Sequence, residues 1–204
     1  MTKVLDPVRV VAITDRTLMG ETPEAFAAAI EKALQGCPPG SVLLQVREKD
    51  LDGAPLLALI AIARRYTRVI VNDRIDVALA ADAIAVHLPE DGLSVADARK
   101  LFPGVIGVSR HAPDAASGAD LIHLGPIWPT PSKPGVTALG LDALRAPHGT
   151  AKLVAVGGID TPERAREAAA AGADAVAVIR AAWSGASLVP FVTAVDAGRA
   201  LRTS

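Results

Sequence analysis

The sequence predicts a closed (β/α)8 barrel, a single TIM barrel of minimal size. Three observations predict it. Eight short, β-branched apolar runs recur along the chain, helix-forming stretches separate them, and polar residues stand at the C-terminal ends of many of the runs. Continuous apolar runs suit a parallel sheet covered on both faces. Their alternation with helices makes βαβ units. The competing architecture, an open doubly wound sheet, gathers its site at one topological switch point and carries G-x-G-x-x-G after its first strand. This chain spreads its polar residues over many strand ends and lacks that motif. A length of 204 residues fits one domain over 1–204. It lies near the lower bound of roughly 200 residues for such barrels, so the loops must be short.

The elements follow in order. Strand one is read at 8–13 and strand two at 42–46. Between them lies a helix at 23–34, opened by Thr22 as N-cap and Pro23 in the first turn. A helix at 55–66 leads to strand three at 69–71, and a shorter one at 76–81 to strand four at 83–87. The helix at 95–101 precedes strand five at 105–108, and a short helical stretch at 113–117 precedes strand six at 121–124. Strand seven at 153–156 is followed by a helix at 162–171, again opened by a Thr-Pro pair, and strand eight at 175–179 closes the set.

Composition excludes several function classes. The 21 basic and 22 acidic residues give a net charge of −1, so no basic surface is offered to nucleic acid or an anionic membrane. Aromatic residues make up 3%, too few to supply stacking platforms for single strands. The one cysteine, Cys37, rules out an internal disulfide framework. No signal-peptide h-region and no membrane-length apolar run is present, which leads to the expectation of a cytoplasmic protein. Outer helices of barrels often pair, so a homo-oligomer is compatible with the chain.

In a TIM barrel the chemistry sits at the strand C-termini. Strand one ends in Thr14-Asp15-Arg16, equally readable as a helix cap. Strand two runs into Gln45-Val46-Arg47-Glu48-Lys49. A period of two puts Gln45, Arg47 and Lys49 on one side, the barrel axis. The alternative is a surface charge run, against which the apolar lead-in Val42-Leu43-Leu44 argues; cations buried on the axis are costly unless anions pair with them, which points to a phosphate or pyrophosphate that Arg grips bidentately. Strand three ends in Asn72-Asp73-Arg74; Asp73 is a candidate Mg²⁺ ligand, or part of an ordinary Asn-Asp turn. Strand four gives His87, more often a packed histidine than a ligand, and then Glu90 and Asp91, which are possible further carboxylates or loop charges. Strand five ends in Ser109-Arg110-His111, where His111 is a candidate acid or base or a structural histidine.

After strand six comes a Pro-rich loop at 125–135, long for so compact a chain. Such loops tend to be functional lids, and Thr130, Ser132 and Lys133 would close hydroxyls and a cation over a phosphate. Strand seven ends in Gly157-Gly158, and strand eight in Ile179-Arg180. The loops after these two strands form the recurrent phosphate site of TIM barrels, where glycine lets backbone N–H groups approach an anion.

Read together, Ala12-Ile13-Thr14-Asp15, Gln45-Val46-Arg47-Glu48-Lys49, Asn72-Asp73-Arg74, Gly107-Val108-Ser109, Gly125-Pro126-Ile127 with Pro129-Thr130-Pro131-Ser132-Lys133, and Gly157-Gly158-Ile159 resemble the thiamine phosphate synthase family, including its TenI thiazole tautomerase branch. The resemblance implies that hydroxymethylpyrimidine diphosphate and a thiazole phosphate, both small phosphorylated molecules, are joined to thiamine phosphate with loss of pyrophosphate, and that Mg²⁺ is the cofactor. It implies that Gln45, Arg47, Lys49, Asn72 and Lys133 hold the pyrimidine diphosphate, that Asp73 binds Mg²⁺, and that Ser109 sits beside the reacting centre. Thr130, Ser132, Gly158 and the backbone near Ile179 fall to the thiazole part and its phosphate; Gly157 joins them from the strand-end reading, and Arg180 either binds a phosphate by its side chain or points away.

Two positions depart from the family pattern. The second metal-binding aspartate aligns with Gly92, leaving Asp91 one residue early, and Arg180 stands where the synthases usually carry Ser. Leu88-Pro89 is similar to the tautomerase branch. A tautomerase with His111 as its acid–base and no metal is therefore the alternative activity, and a non-catalytic binder of thiamine-related phosphates is the alternative class.

Overall fold

In the computed structural model, which describes residues 2–113, 118–132 and 135–202, eight parallel strands close in sequence order into one barrel. They are β1 (Val10–Ile13), β2 (Val42–Val46), β3 (Val69–Asn72), β4 (Ala85–Leu88), β5 (Val105–Arg110), β6 (Leu121–Leu124), β7 (Lys152–Val156) and β8 (Ala175–Val178). The helices are α1 (Arg16–Met19), α2 (Pro23–Leu34), α3 (Gly53–Ala63), α4 (Ile75–Ala80), α5 (Val95–Leu101), α6 (Pro162–Ala171) and α7 (Val189–Ala200), with 3₁₀ turns at Thr2–Leu5, Leu141–Arg145 and Arg180–Trp183.

All eight expected strands form, with ends shifted by up to two residues. Thr22 and Thr161 cap α2 and α6 by accepting from Ala25 N and Arg164 N. The expected helices at 55–66 and 76–81 start earlier, at Gly53 and Ile75. The short helix expected at 113–117 lies almost wholly outside the described residues. Two helices were not expected, α1 and α7. Asp15 makes the four-residue α1 by accepting from Thr17 N, and α7 packs across α6.

Side chains alternate between two apolar layers. Val10, Ala12, Leu44 and Val86 point outward under the helices. Val11, Leu43, Ile70, Ala85, Leu121, Val154 and Ala175 fill the barrel axis. Alternate strands supply each layer of such an interior. Towards the C-terminal mouth the filling turns polar, through Gln45, His87 and His123 on the even strands and Asn72 and Ser109 on the odd ones. Trp183 braces this end from outside, its Nε1 donating to Ile13 O at 2.8 Å. Among the described residues no helix is long and apolar enough to cross a membrane.

Candidate active site

The floor of the mouth is a neutral hydrogen-bonded layer. Gln45 Nε2 donates to Asn72 Oδ1 at 3.0 Å, and His87 Nε2 lies 2.9 Å from Ser109 Oγ. The His87 and His123 rings stack at 4.1 Å between centroids. Both imidazoles are held neutral. Burial pushes His87 well below its usual range, helped by His123 and by the Arg47 charge, and burial alone lowers His123 to about 3. Gln45 Oε1, His87 Nδ1 and His123 Nε2 are buried with no hydrogen-bond partner among the described residues. A floor of unpaired neutral groups suits a polar, uncharged ring.

This histidine has a cost that depends on pH. His123 stays unprotonated in the folded barrel down to about pH 3, whereas the unfolded chain takes up its proton near 6.5. Stability is therefore complete above about pH 6.5 and falls as the pH drops towards 3, by about tenfold in the unfolding equilibrium per pH unit. Denaturant titrations at pH 7.5 and 5.0 should show this loss, and His123→Gln should reduce it. An unchanged difference between the two pH values would contradict the assignment.

The rim carries charge. The sequence expectation that Arg47 and Lys49 are buried on the axis is corrected. β2 ends at Val46, Arg47 and Lys49 are exposed, and Glu48 is the buried residue. The cause is non-local. Thr14 Oγ1 accepts from Arg47 N at 2.9 Å, and Arg16 N donates to Glu48 Oε2 at 3.4 Å, so the chain turns Glu48 inward under Arg16. Among the described residues neither Arg47 nor Lys49 has an ion-pair partner. The two cations stand beside the polar floor, and an anion arriving there meets no salt bridge among those residues that it must break.

Asp73 follows β3 directly. It is exposed, its N–H bonds His87 O at 2.8 Å, and its φ of 65° is the left-handed conformation that few non-glycine residues adopt. Asp91 is exposed in the next loop. Its neighbour Glu90 is already engaged, ion-paired with His111 Nδ1 and accepting from His111 N at 3.2 Å. Gly92 N closes a turn on Pro89 O, and a Cβ at 92 would lie 2.8 Å from Pro89 Cγ. An aspartate there would need the Pro89 turn to move. Among the described residues no cluster of three or more His, Cys, Asp or Glu forms a metal cage. The donor set fits a hard cation held by one or two carboxylates, with phosphate oxygens and water completing the shell, as Mg²⁺ accepts.

The opposite rim carries the glycine pair and the loop after β6. Gly157 and Gly158 have φ of 91° and 71°. A Cβ would stand 2.6 Å from Pro126 Cβ at the first and 2.6 Å from Trp128 Cβ at the second, so both conformation and space demand glycine. The loop after β6 is stitched to this turn by Ile127 N to Val156 O at 2.9 Å and Trp128 N to Gly157 O at 3.1 Å. Across the gap, Arg180 Nη1 donates to Ser132 Oγ at 3.3 Å, and Ser132 N to Thr130 Oγ1 at 3.4 Å. Ile179 links β8 to the 3₁₀ turn at Arg180, with φ −115° and ψ −82°. Lys133 lies outside the described residues.

The structure thus places Gln45, Asn72 and Ser109 at the floor, Arg47, Lys49 and Asp73 on one rim, and Thr130, Ser132, Gly157, Gly158, Ile179 and Arg180 on the other. His111 and Asp91 stand in the β4–β5 loops between them. Sequence reasoning missed His123. Its only signal is the alternation in Leu121-Ile122-His123-Leu124, which sets it beside Ser109 in the strand register.

Residues 10–182 match the thiamine monophosphate synthase family. The chain is 43% identical over 187 residues to a putative thiamine-phosphate synthase of Geobacter sulfurreducens, covering 83% of this chain and 84% of that one. It is 39% identical over 171 residues to thiamine-phosphate synthase of Thermus thermophilus, covering 78% and 81%. The thiamine phosphate pyrophosphorylase from Pyrococcus furiosus superposes with a TM-score of 0.68 at 26% identity, over 97% of this chain and 96% of that one.

Proposed function

The chain belongs to the thiamine monophosphate synthase family, and from that premise we propose that it is a transferase joining hydroxymethylpyrimidine diphosphate to thiazole phosphate, with thiamine phosphate and pyrophosphate as products. One observation carries this reading. A neutral polar floor lies between two separate anion-ready rims, one with the exposed Arg47 and Lys49, the other with Gly157, Gly158 and Arg180.

The floor takes the pyrimidine ring. Gln45 Oε1, buried and unpaired, accepts from the ring's amino group, and Asn72, tied to Gln45, fixes that amide's orientation. Arg47 and Lys49 bind the diphosphate with charge-assisted hydrogen bonds. The carbon–oxygen bond to the diphosphate breaks with its electron pair leaving on oxygen. The cations stabilise that growing charge, which is electrostatic catalysis. Ser109, held by His87, faces the resulting pyrimidine cation. The thiazole nitrogen then supplies the electron pair of the new carbon–nitrogen bond. Gly157, Gly158, Thr130, Ser132 and Arg180 hold the thiazole phosphate in line for that attack, with the backbone at Ile179 closing its far side. Mg²⁺, held by Asp73 with Asp91 beside it, would neutralise diphosphate charge when bound.

Pyrophosphate release tests the proposal. Both substrates together should yield one pyrophosphate per thiamine phosphate. The Glu90–His111 pair gives the tautomerase reading its own support, because a carboxylate on Nδ1 orients an imidazole for proton transfer. Isomerisation of a thiazole carboxylate phosphate with no pyrophosphate released from the first pair would replace the synthase with that activity.

A further inference from the structure

We propose that Arg164, in the first turn of α6, is a positioning residue that clamps the Gly157–Gly158 turn, so that the backbone N–H groups of the pair meet the phosphate of the thiazole substrate. The inference rests on the synthase reading above and adds a residue that none of the strand-end motifs contains.

Arg164 makes three contacts that converge on the turn. Its Nη1 donates to Gly158 O at 2.6 Å and to Asp160 Oδ1 at 2.9 Å, and its guanidinium lies over the Trp128 ring, 5.4 Å from the centroid. Trp128 in turn donates its N–H to Gly157 O at 3.1 Å. Both carbonyls of the glycine pair are therefore taken, one by Trp128 and one by Arg164. Successive backbone N–H groups in a tight turn can group into an anion-binding concavity. With the carbonyls tied, these N–H groups are what the turn presents to an anion.

The energetic logic is entropic. Two adjacent glycines at positive φ form a segment with unusually many accessible conformations. Without a brace, phosphate binding would have to order it. Arg164 does so beforehand, through a charge-assisted bond to a carbonyl and by pinning the indole whose Cβ packs on Gly158. An exposed i,i+4 pair with Asp160 would do none of this and is worth little by itself. Lysine offers charge but neither the planar face nor the fork of donors.

The test is steady-state kinetics with each substrate varied in turn, on Arg164→Ala, Arg164→Lys and Gly158→Ala, each checked for folding by thermal unfolding. Arg164→Ala should raise KM for thiazole phosphate about tenfold, leaving kcat and the KM for the pyrimidine diphosphate within about twofold, as for loss of uniform binding. Arg164→Lys should not rescue it. Gly158→Ala should raise the same KM by at least as much. Wild-type KM values in Arg164→Ala alongside a raised KM in Gly158→Ala would overturn the clamp and leave the phosphate where it is placed. Full rescue by lysine would also overturn it, reducing Arg164 to a charge. Unchanged KM in both Arg164→Ala and Gly158→Ala would overturn the phosphate placement itself. Should the alanine variant not fold, the lysine variant carries the same expectation.

Discussion

Arg47→Ala should lower the rate of thiamine phosphate formation by roughly 10²–10³-fold, the cost of removing one preorganised electrostatic group from a developing charge. Lys49→Ala should do the same. The effect belongs to the chemical step because the charge these residues meet grows as pyrophosphate departs, so kcat should fall with kcat/KM rather than KM alone rising. Folding should be nearly untouched. Both side chains are exposed and, among the described residues, neither is ion-paired, so truncation orphans no buried partner there. The distinction from Glu48 is sharp. That residue is buried beneath Arg16, and Glu48→Ala should cost stability before it costs chemistry. Single-turnover rates and thermal unfolding of the three variants check the assignment. A full synthase rate in Arg47→Ala and Lys49→Ala would remove the diphosphate from this rim.

Asp73→Asn should lower the rate by a comparable factor, roughly 10²–10³, and raise the Mg²⁺ concentration needed for half-maximal activity. Asparagine is the informative replacement. Asp73 has φ of 65°, a conformation that Asn tolerates and most residues do not. Asp73→Asn therefore removes the charge while keeping the backbone, whereas Asp73→Ala confounds the two. Asp91→Asn should have a smaller effect, because Asp91 stands in the loop that the Pro89–Gly92 turn holds. Rates measured across a Mg²⁺ titration for both variants separate the roles. An unaltered Mg²⁺ dependence in Asp73→Asn would move the ion elsewhere.

The strands were legible because a parallel barrel makes each of them a short, β-branched apolar run; the apolar stretch in α3, GAPLLALIAIA, is longer and built from leucine and alanine as well. The helix α7 was not. Its sequence, VPFVTAVDAGRA, is rich in β-branched residues with a glycine near its end, and packing on α6 overrides those local preferences. The site was legible where one segment carries its own chemistry, as at Asn72-Asp73 and Gly157-Gly158. It was misread where distant segments decide. Alternation predicted Arg47 on the axis, but Thr14, just after β1, and Arg16, at the start of α1, end the strand at Val46 and turn Glu48 inward. The pairing of His111 with Glu90 joins residues from two loops and has no local signature. His123 meets Ser109 and His87 only because β6 lies beside β5 in that register, which a single histidine in Leu121-Ile122-His123-Leu124 does not announce.

The most direct measurement is thiamine phosphate formation by the purified chain from the two phosphorylated halves, with Mg²⁺ and with a chelator. The account predicts product with Mg²⁺, little or none with chelator, and recovery when Mg²⁺ is restored. Folded protein that yields no thiamine phosphate from the two halves at any Mg²⁺ concentration would contradict it.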